Sequence, residues 1–268
     1  MDLSLYETTS RVEDTHWWFV GRRAVVFDEL QRVLGERDGG TRPDARPRIL
    51  DLGCGTGRNL TELEQVGDAV GLDLEARALE FCHQRGHDAV AQARAEHLPF
   101  RDATFDAVMA LDLLEHLDDD VAGVREVLRV LRPGGHFLAF VPAYRWLWGP
   151  QDDVSHHRRR YTPATIARTL RAAGLRVHRL IHANLLLLPA ILAGRRYLRA
   201  TQRRVESENA LHPGWSNGVL REIFSAERHI LRWTDLPMGV SILCVASKDR
   251  VAVPAEQRRA LAGVGVGN

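Results

Sequence analysis

Gly53, Gly55 and Gly57 stand at alternate positions in Ile49-Leu50-Asp51-Leu52-Gly53-Cys54-Gly55-Thr56-Gly57. An apolar run precedes them and a helical pattern follows, so the glycines form the turn from a strand into a helix. Lacking Cβ atoms, such a turn bends tightly and lets a ligand approach the backbone. Asp51 sits at the strand's end, where a carboxylate can accept from an ammonium or an ordered water. A second acid, Asp73, ends the next apolar run, Val70-Gly71-Leu72-Asp73, 22 residues after Asp51. An acid placed there can accept from both hydroxyls of a ribose.

A nicotinamide cofactor is the rival reading. Its GxGxxG fingerprint would need glycine at Arg58 if counted from Gly53, or at Leu60 if counted from Gly55. Asp51 would also repel a pyrophosphate. The spacing favours a ligand that carries an amino acid over one that carries a diphosphate.

Histidines supply the other chemistry. Tyr144-Arg145-Trp146-Leu147-Trp148 leads into Asp152-Asp153-Val154-Ser155-His156-His157-Arg158-Arg159-Arg160-Tyr161. An imidazole titrates near neutral pH and suits proton removal. His157 is the candidate base, with Asp152 to orient it and His156 close enough to exchange roles. Glu115-His116 is a second candidate pair, and Tyr144, Trp148, Arg160 and Tyr161 are candidate substrate contacts. Arg159, Arg160 and Asp152 also suit an ion-pair network that holds a long loop in place. Near the start, His16-Trp17-Trp18-Phe19-Val20-Gly21-Arg22-Arg23 is too aromatic for an idle surface turn. It reads as a lid in which Trp18 covers a ligand and Arg22 or Arg23 meets its carboxylate, or as a helix pinned to the domain by Trp17 and Phe19.

The elements that must position these groups follow from periodicity. A helix is expected over residues 22–34, then strands over 48–52, 69–72, 105–110 and 136–141. Helices are expected over 75–85 and 121–131, with a turn at Arg132-Pro133-Gly134-Gly135. Helix 163–173, strand 175–181 and strand 240–246 complete the pattern. Strands alternating with helices specify βαβ units and a parallel sheet. The apolar run from Leu185 to Ala193 has nine residues, against about 20 for a membrane span. It suits core packing, an apolar pocket wall, a dimer contact or a peripheral membrane contact.

Composition excludes several classes. The 268 residues are 45% hydrophobic and carry a net charge of +1, so a core can form and no overall field draws in nucleic acid. Three separated cysteines, Cys54, Cys82 and Cys244, make neither a disulfide framework nor a zinc knuckle. They fit a reducing cytoplasm, as does a polar N-terminus without a signal-like apolar stretch.

Asp51-Leu52-Gly53-Cys54-Gly55-Thr56-Gly57 resembles motif I of class I S-adenosylmethionine methyltransferases. Glu96-His97-Leu98-Pro99-Phe100 with Phe105-Asp106, Leu111-Asp112-Leu113-Leu114-Glu115-His116 and Leu131-Arg132-Pro133-Gly134-Gly135 are similar to three later motifs of that family, in register. The aromatic opening and the His-x-Arg-Arg-Tyr-Thr segment resemble a bacterial small-molecule subgroup. The resemblance implies a Rossmann-like, doubly wound α/β fold with a mostly parallel seven-stranded sheet, an antiparallel last strand and a helical insertion. It implies that Asp51, Gly53, Cys54, Gly55 and Gly57 hold the methionine end of S-adenosylmethionine and that Asp73 and Leu74 meet the ribose. Ala95 and Glu96 would face the adenine and Leu111 the methionine arm. Arg94 stands where many relatives carry an acid, so one adenine contact departs from the pattern.

The expected organisation is a helical lid over 1–47, a cofactor-binding core over 48–183 with a substrate loop at 144–161, a helical insertion over 184–236, a last core strand over 237–249 and a flexible tail over 250–268. The expected activity is methyl transfer to an oxygen of a small, partly apolar acceptor, leaving S-adenosylhomocysteine, without a metal and without nucleic acid. The chain would act as a monomer or homodimer. The alternative is a non-methylating cofactor-binding protein, cyclase-like or associated with a partner or membrane.

Overall fold

A computed structural model describes residues 3–35, 46–200, 214 and 216–250. The expected tail, most of the loop before the first strand and part of the insertion lie outside the described residues.

Apolar runs of branched and aromatic residues form the sheet. Its strands are β1 (Arg48–Leu52), β2 (Asp68–Asp73), β3 (Val90–Gln92), β4 (Phe105–Leu111), β5 (Leu131–Pro142), β6 (Arg176–Ala183) and β7 (Ser241–Ser247). They lie in the order β3-β2-β1-β4-β5-β7-β6. β1 to β5 pair in parallel, while β7 runs antiparallel to both neighbours, β5 and β6. This is the doubly wound, Rossmann-like sheet with its last strand reversed.

Both faces are covered, so successive residues of a strand enter different cores. Leu50, Val108 and Phe137 pack with Val124 and Val127 of α5 (Asp120–Val130) and with Ile166 and Leu170 of α7 (Pro163–Ala172). Their chain neighbours Ile49, Met109 and Leu138 pack on the other face. There they meet Val26 and Leu30 of α2 (Trp17–Gly35), Leu60 and Leu63 of α3 (Arg58–Val66), and Phe224 of α9 (Ser216–Leu231). Asp119 starts α5 by accepting from the Ala122 amide, and Thr162 starts α7 by accepting from Thr165, with Pro163 as first helical residue.

Four differences from the sequence reading have local causes. The Pro133-Gly134 segment does not end a turn before β5 but lies inside it. Pairing passes from Phe105–Leu131 to Ala107–His136, so β5 bulges there, with Gly134 at φ 78°. α2 begins at Trp17, five residues earlier than its apolar period suggests, because the aromatics form its first turns. α1 (Leu3–Val12) and β3 were not anticipated; one is short and polar, the other only three residues long. α4 (Ala76–Gln84), α6 (Pro150–Val154) and α8 (Leu188–Ala200) complete the described helices, and no helix among the described residues is long and apolar enough to cross a membrane.

α9, inside the expected insertion, packs directly on α2, and Gly21 is what allows the approach. A Cβ at Gly21 would fall within the ring of Phe224, which is fully buried and has no room to move. We therefore expect Gly21→Ala to lower unfolding free energy by about 1–3 kcal/mol, measured by urea denaturation.

Candidate active site

The sheet reverses its winding between β1 and β4, the place where doubly wound folds leave a crevice at the carboxyl ends of their strands. A cavity of about 490 Å³ opens there. Gly53, Cys54 and Gly55 form part of its wall, with Asp73 and Leu74 from the end of β2, Ala95 and Glu96, and Leu111 from the end of β4. Trp18 and Arg22, one turn apart on α2, close one side. His116, His157 and Arg160 lie on the far side.

The glycine turn holds its shape through backbone conformation. Gly53 and Gly55 have φ of 78° and 53°, and the space a Cβ would take at Gly55 is open. A bound group can therefore lie against this backbone, as the cofactor expectation requires. Gly57, also left-handed, does not line the cavity; it starts α3 and lets Cys82 pack close behind the loop.

Asp73 is already partly engaged. Its two oxygens accept from the Gly55 and Glu75 amides at 2.9 and 3.0 Å. The Leu74 amide and the Tyr6 hydroxyl also reach the carboxyl, so a bound hydroxyl would share its remaining lone pairs with Tyr6. Burial raises the Asp73 pKa, against the pull of those amides. Asp51 does not line the cavity but precedes the lining residues Leu52 and Gly53. Burial pushes its pKa up to about 7, against the pull of the Asn59 side chain beside it. Arg22 also pulls it down and Asp73 adds to the rise. A buried acid poised in this way suits a cation brought close by a ligand, because the cation would restore its charge. The residues present thus fit an amino-acid-bearing nucleoside.

α1 was missing from the sequence reading and forms a further wall. Tyr6, Thr9 and Glu13 all line the cavity. Glu13 accepts from Thr56 of the glycine turn and from Arg85, and Asp14 pairs with Arg58. These bonds tie the end of α1 to the loop beneath it. Only the acidic pair Glu13-Asp14 hinted at this, since the helix is too short and polar to announce itself. Arg22 reaches the cavity and pairs with Asp112, whereas Arg23 turns away to the Glu13 carbonyl. Arg94, the departure from the family pattern, pairs with Glu96 at 3.3 Å.

The far end is a compact polar cluster. Asp152 is fully buried and accepts two bonds from Arg160, at 2.7 and 2.9 Å, and one from the Gly149 amide at 2.7 Å. Burial alone would raise its pKa, but His157, Arg160 and Gly149 together hold it at about 2. Asp152 is therefore ionised at neutral pH, and His157 Nδ1, at 2.9 Å, must be the donor to it. In the neutral ring this tautomer places the lone pair on Nε2, which lies 3.9 Å from Glu115. The His116 ring meets the His157 ring edge-on at 4.8 Å, and burial with the neighbouring His157 lowers the His116 pKa to about 4. Glu115 is fully buried, and burial, with Asp112 nearby, raises its pKa well above the ordinary range.

The arginines that follow hold this arrangement. Arg158 and Arg159 donate to the carbonyls of His116, Leu117 and Asp118, which ties the loop after β5 to the loop after β4. The ion-pair reading and the catalytic reading of this segment are thus compatible. Other expected contacts lie elsewhere. His156 is exposed with φ 54° and does not line the cavity. Tyr161 is buried, with its hydroxyl donating to Asp120 and the Leu114 carbonyl. Tyr144 is bonded to His182, and Trp148 donates to Asp153; none of the three lines the cavity. From the apolar run and the turns after it, Ile191 and Arg195 of α8 reach the wall, while Leu187 and Leu188 are packed inside.

Residues 50–139 match the family model of a methyltransferase domain. That stretch is thus a methyltransferase domain, in keeping with the class I S-adenosylmethionine methyltransferase motifs that it resembles. It is 32% identical to the 27-O-demethylrifamycin SV methyltransferase of Amycolatopsis mediterranei, over 46% of this chain and 49% of that one. It is 30% identical to a human protein described as "Probable tRNA methyltransferase 9B", over 48% of this chain and 27% of that one. The chain thus spans about half or less of the length of these curated relatives. Among solved structures, the methyltransferase in complex with the Haloferax volcanii Trm112 methyltransferase activator superposes with a TM-score of 0.58 at 21% identity, covering 92% of this chain and 96% of that one. At that identity the likeness shows the shared methyltransferase fold.

Proposed function

We propose that this methyltransferase moves a methyl group from S-adenosylmethionine to an oxygen of a small, partly apolar acceptor. One observation carries the reading: a single cavity runs from the glycine turn and Asp73 to His157. Its volume is in the range of small-molecule sites. The rifamycin methyltransferase, by its name, acts at an oxygen of a small molecule. Trp17, Trp18 and Ile191 on the wall offer apolar surface to such an acceptor.

When bound, S-adenosylmethionine supplies an electrophilic methyl group. Asp73 takes the ribose hydroxyls, Ala95 and Glu96 face the adenine, and Asp51 supports the ammonium end. Arg22 and Trp18 hold the open side. His157 Nε2 draws off the acceptor's proton while Asp152 keeps the ring in the required tautomer. Most of the rate comes from holding donor and acceptor in line. The three described cysteines are buried and free, which supports a cytoplasmic setting.

Incubation with methyl-labelled cofactor and separate pools of small metabolites and RNA tests the reading. Label is expected in a small molecule. Label confined to RNA overturns the acceptor class, and bound cofactor with no transfer to any pool overturns the enzymatic role.

A further inference from the structure

Three potential ligand atoms converge at the acceptor end of the cavity. One atom each from Glu115, His116 and His157 can be chosen so that all lie within 4.8 Å of one another. The Glu115 carboxylate is fully buried, and neither oxygen has a hydrogen-bond partner on another described residue. Leaving such a group unsatisfied is costly, so a buried carboxylate without partners marks a place where something else binds. His157 offers it Nε2 at 3.9 Å, and its Nδ1 is committed to Asp152 at 2.9 Å. A carboxylate that orients an imidazole from behind is the usual outer support of a metal-bound histidine.

We propose that Glu115, His116 and His157 bind a divalent transition-metal ion of the zinc class. Two imidazoles and one carboxylate are borderline ligands that suit zinc and leave a coordination position open. Bonds of about 2.1 Å put ligand atoms about 3.4 Å apart, so the cluster must close by roughly 1 Å around the ion. His116 and His157 line the cavity, which gives an ion its way in, and Glu115 stands behind them. The inference rests on the proposed function for its purpose. The open position would take the acceptor hydroxyl and acidify it, its proton leaving to water in the cavity, while His157 would lend its lone pair to the ion rather than directly to the proton. It departs from the metal-free expectation raised by the sequence.

Tag-free, chelator-treated protein is titrated with Zn²⁺ by calorimetry and with Co²⁺ by visible absorption, without cofactor or acceptor. One ion per chain is expected. Glu115→Gln and His116→Ala should each weaken binding at least about a hundredfold, and Asp152→Asn about tenfold. His178→Ala, on β6 and bonded to Ser247, should leave it unchanged. Circular dichroism checks that each variant is folded, and the wild-type titration stands without them. Absence of binding by the wild type, or binding that survives both Glu115→Gln and His116→Ala, overturns the proposal. Binding of S-adenosylhomocysteine and transfer of labelled methyl by the same chelated sample, with no Zn²⁺ bound, would sink the metal site alone. Zn²⁺ binding with no methyl transfer to any pool would sink the methyl-transfer reading alone.

Discussion

Replacing Asp73 by alanine is expected to weaken binding of S-adenosylhomocysteine about a hundredfold, or about 2.7 kcal/mol, by calorimetry. The size follows from the number of bonds lost. Two hydroxyl donors on a partly buried carboxylate contribute about 1.5–3 kcal/mol each at most, less what water recovers. Asp73 has a second task, because its oxygens also hold the Gly55 and Glu75 amides. The alanine variant therefore loosens the glycine turn as well. Asp73→Asn separates the two effects, since it keeps the size and one acceptor oxygen while removing the charge. An intermediate loss, about tenfold, is expected there. Unchanged affinity in the alanine variant would remove Asp73 from the ribose.

Asp73 was legible because its place is set by local pattern. An apolar run must end at the edge of a parallel sheet, and the residue there faces the crevice. The same logic located Gly53 and Gly55, whereas Leu111 came from the resemblance of its segment to a family motif; all three line the cavity. Asp51 shows the limit of that logic. Its neighbours in the chain alternate between cores and crevice, and spacing along one strand did not tell whether its carboxylate meets the ligand directly. It is buried, with Asn59, Arg22 and Asp73 as its neighbours, a setting that only the packing of α2, α3 and β2 around it reveals. The helix α1 was illegible for a different reason. Its ten residues mix four apolar or aromatic side chains with six polar ones, and the turn after it is held by Thr56, Arg58 and Arg85, partners more than 40 positions away. Tyr161 misled because a tyrosine beside a candidate site looks like a ligand contact. Its hydroxyl instead satisfies Asp120 and a carbonyl inside the core.

His157→Ala is expected to lower kcat by about a thousandfold while S-adenosylhomocysteine binds as before. The argument starts from Asp152. Its carboxylate is held at about pKa 2 by His157, Arg160 and the Gly149 amide, in spite of its burial. It has no proton to give, so Nδ1 of His157 donates, and in the neutral ring the lone pair sits on Nε2, 3.9 Å from Glu115. Alanine removes that lone pair whether it meets the acceptor's proton directly or through a bound ion. Cofactor affinity should not follow, because Asp73, Ala95 and the glycine turn lie on other loops. His156→Ala is the contrast. The two histidines are adjacent in the chain, but His156 is exposed at a left-handed turn and does not line the cavity. Its loss is expected to leave kcat near the wild-type value, read in the same methyl-transfer assay. Equal effects of the two substitutions would point to the loop's folding rather than to its chemistry, and full activity without His157 would move proton removal to another group.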